Sequence, residues 1–570
     1  MRQARGAIRI KLGLAGLTLV LVVALLASRA QPPGERLTLV LTGGRVWTGD
    51  AERPWAEAVA IRGDRIVAAG TAAEIAKLPP ADKTVNLRGR FVMPGINDAH
   101  IHFLSGAMRL SEVDLNDAES LGEIQRRVAE FAKQNAQSPW VLGFGWTYTA
   151  IPGGKLPTRA DLDAIIKDRP VFLSAYDGHT AWVNSKALEL AGVTAETKFE
   201  GFGEVVRDAA GQPTGVLKEG AQSLVRSKIP TPTREQRLAG ARKMLAWAAQ
   251  LGITSIQNAH GNEADLGIFE ELLKSGEMTT HTSVAMSVGP RVTAERIAEV
   301  AALAKKYSGP MLRVNGIKIM ADGVIESHTA AMLAPYSDNP STRGEPAWSQ
   351  EDLNRVVALA DKAGLQIYIH AIGDRAVRIA LDAYAHARQV NGARDSRHRI
   401  EHIETVAPED IPRFAELGVM ASMMPIHADP GAGQVWSRAV GPEREKHAFA
   451  WRSLENAGAK LVFSSDWTAA ISIDPMRGLH TAINRQTKDG APPGGWIPAQ
   501  RISVETVLRA YTQAGAYSSF EEKEKGSITP GMRADLIVLS GDPFKTPPAK
   551  LHILQVETTV FNGRVVNQKK

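Results

Sequence analysis

The feature that most constrains this chain is a long alternation of strand-like and helical segments. Between residues 234 and 464, seven helical patterns alternate with seven short apolar runs typical of buried strands. An eighth strand-like run begins at Phe91. Eight strands that alternate with helices predict a closed parallel (β/α)8 barrel of the TIM type. An open doubly wound sheet is the alternative, and the lack of a Gly-x-Gly-x-x-Gly turn weakens it.

The predicted elements of the barrel follow one another closely. After the run at Phe91, the predicted strands cover residues 252–257, 282–288, 313–320, 365–369, 399–403, 419–423 and 461–464. The predicted helices cover 234–250, 263–275, 293–307, 350–363, 374–391, 408–417 and 451–457. The barrel is therefore expected to occupy residues 91–519.

Two further regions surround this alternation. Residues 31–90 and 520–570 contain short β-prone runs separated by Gly and Asp turns, and we expect both chain ends to form one composite β-sandwich. Residues 104–232 separate the first strand from the second, which is far longer than an ordinary βα connection. We interpret them as an inserted subdomain. Because strand-end loops build the active site of such barrels, the insert is expected to cover the pocket.

Polar residues recur at the predicted carboxyl ends of five strands. Each has an ordinary interpretation: a histidine can be a hydrogen-bonded structural residue, an aspartate can cap a helix, as we expect of Asp374, and a lysine can extend its amine to solvent. Their joint position at one end of one barrel favours a metal site instead. His100 and His102 lie two apart and project to the same face. The set is His100, His102, Lys318, His370, His402 and Asp466.

Composition excludes several other chemistries. The chain has no cysteine, so thiolate ligands, disulfides and a cysteine nucleophile are excluded. The formal charge of +6 is small for 570 residues, and no basic stripe indicates nucleic-acid binding.

The N-terminus has the pattern of a secretory signal peptide. Four basic residues among the first eleven precede the apolar or small run 12–27, and Ser28-Arg29-Ala30 offers small residues before a cleavage site. We expect residues 1–30 to direct the protein to the periplasm or the exterior. An uncleaved single membrane anchor is the alternative, and it also places the folded part outside the cytoplasm.

These motifs resemble the amidohydrolase superfamily in its two-metal form. The resemblance rests on the run 94–102, on Lys318, His370 and His402, and on Ser465-Asp466. Residues 529–539 resemble the returning sandwich segment of that superfamily. Segments 156–163, 177–185 and 318–323 are similar to the branch that includes N-substituted formamide deformylase. The similarity runs from about residue 37 to 567.

The resemblance implies a ligand set and a reaction. His100, His102 and Asp466 would hold one divalent ion, and His370 and His402 the other, with Lys318 carboxylated on its amine and bridging both. A hydroxide shared by the two ions would attack an amide carbonyl, and Asp466 would pass its proton to the leaving nitrogen. Zinc suits these ligands, with iron, manganese and nickel as alternatives.

Other assignments are less direct. The resemblance suggests that His179, in the insert, binds substrate. Four further residues, near strand ends or in the insert, are expected to line the pocket or to lie in the core: Trp146, His328, His427 and Trp467. Glu401 and Glu404 flank His402, and one of them is a candidate to orient it. The predicted function is hydrolysis of a small-molecule amide or formamide at a non-peptide C–N bond. A deaminase or cyclic-amide hydrolase on the same scaffold is the alternative. A non-catalytic relative is disfavoured, because such a protein should have lost metal ligands, whereas all six positions are filled here.

Overall fold

The structure is a computed structural model that describes residues 36–431 and 433–569. The predicted signal peptide or anchor, residues 1–30, lies outside the described residues. The described chain begins with a β-module of seven strands and one short helix. Its elements are β1 (Leu37–Thr42), β2 (Arg45–Trp47), β3 (Trp55–Ala56), β4 (Ala58–Arg62), β5 (Arg65–Gly70), α1 (Ala72–Ile75), β6 (Ala81–Asn86) and β7 (Phe91–Pro94).

The first barrel strand begins later than predicted. The run at Phe91 is β7, which pairs with β2 in the sandwich rather than with a barrel strand. After the break at Gly95, the chain enters the barrel as β8 (Ile96–Ile101) and continues into α2 (Phe103–Arg109). Gly95 allows this passage because a Cβ there would lie 2.2 Å from Oγ1 of Thr254.

The insert is a separate layered unit. The elements are β9 (Val113–Asp114), α3 (Leu121–Gln134), β10 (Val141–Trp146), α4 (Arg159–Asp163), β11 (Val171–Ala175), β12 (Thr180–Val183), α5 (Ser185–Ala191), β13 (Gly203–Arg207), β14 (Pro213–Glu219) and α6 (Ser223–Arg226). The six strands form one sheet in the order β13-β14-β12-β11-β10-β9, and residues of the sheet and the helices form apolar clusters.

The remaining barrel strands alternate with helices, and three helices precede the last strand. In chain order the elements are α7 (Arg234–Gln250), β15 (Ile253–Gly261), α8 (Glu263–Lys274), β16 (His281–Ser287), α9 (Ala294–Lys306), β17 (Leu312–Met320), α10 (Gln350–Lys362), β18 (Gln366–Ala371), α11 (Asp374–Asn391), β19 (Arg399–His402), α12 (Ile411–Leu417), β20 (Met420–Met423), α13 (Gly433–Val440), α14 (Pro442–Glu445), α15 (Trp451–Asn456) and β21 (Leu461–Phe463).

Eight parallel strands form the barrel sheet, in the order β21-β20-β19-β18-β17-β16-β15-β8. The sheet closes just beyond its two edge strands, because the amide of Asp466 donates to the carbonyl of His100 at 2.9 Å and the amide of His102 donates to the carbonyl of Trp467 at 2.7 Å. The prediction of a TIM-like barrel is confirmed, and the open-sheet alternative is wrong.

The two chain ends share the sandwich. After β21 the chain forms three helices, α16 (Pro475–Asn484), α17 (Val504–Tyr511) and α18 (Gln513–Ser518), and α17 and α18 pack against the barrel strands β8 and β21. It then adds three strands to the sandwich, β22 (Leu536–Leu539), β23 (Val556–Phe561) and β24 (Arg564–Gln568). Strand β22 pairs antiparallel with β7, which joins the end of the chain to its beginning. The two sheets bury a common core that includes Leu41, Val92 and Val538.

Within residues 36–431 and 433–569, no helix has the length and apolar character needed to cross a membrane.

Candidate metal centre

The carboxyl ends of β8 and β21 bring one group of ligand atoms together. Nε2 of His100 lies 3.3 Å, and Nε2 of His102 3.1 Å, from Oδ1 of Asp466. His100 is fully buried, whereas 22% of the His102 side chain is exposed. The group is therefore buried on the barrel side and open on the pocket side.

A second group shares Asp466. Nδ1 of His402 lies 3.7 Å and Nε2 of His427 3.6 Å from the other carboxylate oxygen, Oδ2. His402 and Asp466 have left-handed backbone angles, with φ of 74° and 55°. Non-glycine residues seldom adopt this conformation, and it is concentrated at functional sites.

Several of these atoms are buried without a hydrogen-bond partner in the described part of the chain. They are both ring nitrogens of His402, Nε2 of His427 and Oδ1 of Asp466. An unpaired buried polar atom is unfavourable unless something else satisfies it. Nitrogen and carboxylate donors that converge and lack partners fit a divalent cation.

Burial sets the charge of the ligands. It lowers the pKa of His100 to about 4 and holds the pKa of His370 and His402 well below the ordinary value. These imidazoles are therefore neutral at physiological pH, as metal ligands must be. Burial would raise the pKa of Asp466, but the surrounding histidines outweigh it and leave the pKa below its usual range.

Lys318 lies within the same centre. It is 2% exposed on β17, and its Nζ donates to Nε2 of His100 at 3.1 Å. Burial lowers its pKa to about 8. An amine this close to the ligand atoms would repel a cation in its ammonium form, whereas a carboxylated amine would be an anionic ligand.

His370 adjoins the second group without joining it directly. Its ring centroid lies 4.4 Å from that of His402, and its Nε2 lies 3.2 Å from the carbonyl of Gly323. A bond to that carbonyl leaves Nδ1 as the nitrogen available for a metal. The structure thus brings all six predicted ligand residues together and adds His427, which the sequence assigned only to the pocket lining.

The insert contributes His179 to the pocket. Its ring lies 5.3 Å from that of His370, and its Nδ1 lies 2.7 Å from Oε2 of Glu219. The same carboxylate accepts a hydrogen bond from Thr329 on the loop after β17, which joins the insert to the barrel. Burial would lower the pKa of His179, but Glu219 and Asp177 outweigh it and raise the pKa to about 9.

Three other residues, expected in the pocket or the core, have contacts outside the ligand group. Trp146 is fully buried in the core of the insert, where its Nε1 donates to the carbonyl of Leu173. His328 pairs with Asp338 at 2.9 Å and packs edge-on against a tyrosine. The ring of Trp467 packs edge-on against Phe144 and Trp247.

Other functional candidates were missed or misassigned. His260 is the last residue but one of the second barrel strand, with its ring 5.9 Å from that of His102, and the predicted strand stopped three residues before it. Glu401 contacts His100 rather than its neighbour His402, at 2.5 Å. Asp374 is the first residue of α11 rather than its N-cap, and its carboxylate accepts from the amide of Leu333.

Comparisons with known proteins point to one family. A model of the Amidohydrolase family matches residues 83–567. The protein LONG AFTER FAR-RED 3 of Arabidopsis thaliana is 32% identical, over 90% of this chain and 89% of its own. N-substituted formamide deformylase of Arthrobacter pascens is 28% identical, over 92% and 97%. The crystal structure of an uncharacterized metal-dependent hydrolase from Pyrococcus horikoshii OT3 is 27% identical, with a TM-score of 0.71 over 90% of this chain and 99% of that one.

Proposed function

This chain belongs to the amidohydrolase family and is a metal-dependent hydrolase, and within that family we propose that it cleaves a non-peptide carbon–nitrogen bond of the formamide or N-acyl amide type. The similarity to N-substituted formamide deformylase along nearly the whole of both chains supports this bond type. The substrate would be a small molecule.

The observation that carries the proposal is a set of buried nitrogen and oxygen atoms at the carboxyl end of the barrel that could bind a metal and have no hydrogen-bond partner among the described residues. His402 has no hydrogen-bond partner at either ring nitrogen among the described residues, and Asp466 has none at Oδ1. A structural cluster would satisfy these atoms within the protein. A site that holds cations leaves them free.

We assign the ligands of two divalent ions, with zinc as the preferred metal. His100, His102 and Asp466 would hold one ion, His370 and His402 the other, and a carboxylated Lys318 would bridge them. His427 is a further candidate for the second ion, because its Nε2 lies 3.6 Å from Asp466. Divalent ions held here would polarise the scissile carbonyl and make water nucleophilic at neutral pH.

The residues of the chain supply the proton transfer and the orientation. Asp466 is ionised and its carboxylate can accept the proton of the attacking water and deliver it to the leaving nitrogen. His179 has Nδ1 fixed by Glu219, so that Nε2–H is the donor left for a substrate oxygen. Burial of the site keeps these interactions strong by excluding water.

Metal analysis and a substrate panel test the proposal. The purified protein should contain close to two metal ions per chain, and none or one would contradict the two-metal assignment. N-formyl, N-acyl and cyclic amides should be compared, with release of carboxylate and amine as the readout. Turnover confined to cyclic amides, or release of ammonia alone, would favour the cyclic-amide hydrolase or deaminase.

Lys318 discriminates between the metal assignments. Lys318→Ala should abolish activity, and short carboxylic acids should restore part of it by replacing the missing bridging oxygens. Undiminished activity would remove Lys318 from the site.

We also propose that the enzyme acts outside the cytoplasm, on the basis of the basic and apolar pattern of residues 1–30. A fusion of this segment to a reporter active only after export should be active. Release of the mature protein by osmotic shock would support cleavage, and retention in the membrane fraction would support the anchor.

A further inference from the structure

A charged pair lies inside the barrel, beside the ligand candidates. Arg399 and Glu401 lie on β19, and both side chains are fully buried. Nε of Arg399 donates to Oε1 of Glu401 at 2.5 Å, and a terminal nitrogen donates to Oε2 at 3.0 Å. Apolar side chains can often replace such a buried pair without loss of stability. Stability alone therefore does not explain the pair.

Glu401 connects the pair to the metal centre. Its Oε2 lies 2.5 Å from Nδ1 of His100, while Nε2 of that ring faces Asp466. A carboxylate that accepts the Nδ1 proton fixes the tautomer with its lone pair on Nε2 and also fixes the plane of the ring. Glu401 thus prepares His100 as a ligand.

Arg399 in turn immobilises Glu401. Its guanidinium donates to Oε1 of Gln257 at 2.7 Å, to the carbonyl of Ala99 at 2.6 Å and to Oγ of Ser422 at 3.0 Å. It also stacks 3.9 Å from the ring centre of Tyr368. These four partners lie on β15, β8, β20 and β18, so the carboxylate is held by a group that is itself fixed to four strands.

We infer that Arg399 and Glu401 are positioning residues that hold His100 in the tautomer and orientation needed for metal binding. Neither residue touches the substrate pocket in this arrangement; both act through His100. The inference rests on the proposed function only in requiring that the centre binds a metal.

Zinc binding to the metal-free protein tests the inference. Glu401→Gln preserves size and removes the carboxylate, and Arg399→Met removes the guanidinium while keeping an apolar side chain. Both variants should bind Zn2+ about 10- to 100-fold more weakly than the unaltered protein. Arg399→Lys keeps the charge without the paired contact. Its zinc affinity should lie between that of Arg399→Met and that of the unaltered protein. Far-UV circular dichroism and urea unfolding of the metal-free forms report whether each variant folds.

A matched control is available in a second buried histidine–carboxylate pair. Nε2 of His281 lies 2.8 Å from Asp535, and both side chains are at most 4% exposed. Asp535→Asn should lower the urea midpoint while leaving zinc affinity unchanged.

Two results would overturn the inference. If Glu401→Gln and a folded Arg399 variant bind zinc as tightly as the unaltered protein does, the pair has only a structural role. If Arg399→Met does not fold, the zinc affinity of Arg399→Lys is used for this comparison. Absence of zinc binding by the unaltered protein would overturn the inference together with the proposed function, whereas equal binding by the variants overturns the inference alone.

Discussion

At the scale of single residues, the neighbours of each histidine in the centre decide whether its imidazole is neutral or protonated. His100 and His402 are kept neutral because burial and neighbouring cations disfavour a further positive charge. His179 is largely buried as well, yet two carboxylates raise its pKa to about 9. The centre therefore contains neutral imidazoles suited to metals, and beside them His179 as an imidazolium suited to an anion or a developing oxyanion.

His179→Gln should lower kcat/KM by about 10²- to 10³-fold, because it removes the cationic donor that would bind the substrate oxygen. Bound metal should stay at the wild-type level, since His179 is not a ligand candidate. His386→Gln, on the outer helix α11, is the control and should be as active as the wild type. A joint loss of metal and activity in His179→Gln would instead identify His179 as a ligand.

Lys318 should make reconstitution depend on bicarbonate and pH. Carbon dioxide adds to the neutral amine, forming the carbamate and releasing one proton. With a pKa of about 8, the amine is half neutral at pH 8 and about one-tenth neutral at pH 7. At equal dissolved carbon dioxide, zinc-dependent recovery of activity should therefore be faster at pH 8.5 than at pH 6.5. Recovery that is independent of bicarbonate at both pH values would contradict carboxylation.

At the scale of elements, the site depends on how the last barrel strand meets the first. Ser465 follows β21, and its Oγ donates to Oδ2 of Asp98 on β8 at 2.5 Å, while its amide donates to Oδ1 at 3.0 Å. Next to it, the amide of Asp466 bonds to the carbonyl of His100. The same short contact that closes the barrel therefore sets the distance between ligands from the two strands.

Ser465→Ala should destabilise the protein by about 1–3 kcal/mol, because it removes the hydroxyl that donates to Oδ2 of the buried Asp98. The free energy of unfolding in urea, measured without metal, gives this value. Ser519→Ala is a suitable control, since Ser519 is also buried but its hydroxyl bonds only to nearby backbone carbonyls, so that the loss should be smaller. Equal losses of unfolding free energy in the two variants would show that the contact of Ser465 with Asp98 stabilises the protein no more than an ordinary buried serine does.

The elements also show how far the sequence could lead. Periodicity located seven of the barrel strands, and the six ligand candidates followed from their positions at strand ends. It misplaced the first strand because Phe91 and Ile96 begin two adjoining buried strands, and only tertiary pairing assigns β7 to the sandwich. His260 was missed because β15 continues four residues past Gln257. Trp146 and Glu401 could not be placed, because burial inside the insert and a contact across the barrel leave no local pattern.

At the scale of the whole molecule, the metal centre exists only in the folded chain. Its ligand candidates come from positions between 100 and 466, on six barrel strands and their loops. The sandwich joins both chain ends, and the insert contacts the barrel through the hydrogen bond of Thr329 to Glu219. The unfolded chain has no cysteine and only scattered histidines, so it should bind zinc weakly. Most of the zinc-binding free energy should consequently appear as added stability.

Removal of metal should therefore lower the urea midpoint, and zinc should restore it. At a free zinc concentration 100-fold above Kd, the expected gain for one site is about 2.7 kcal/mol, and a second occupied site adds to it. His102→Ala should show a smaller gain, because it removes one ligand candidate without entering the buried core. A midpoint that does not move while zinc is demonstrably bound would mean that the unfolded chain binds zinc as well as the folded one. In that case, the ligands would not form a site that folding assembles.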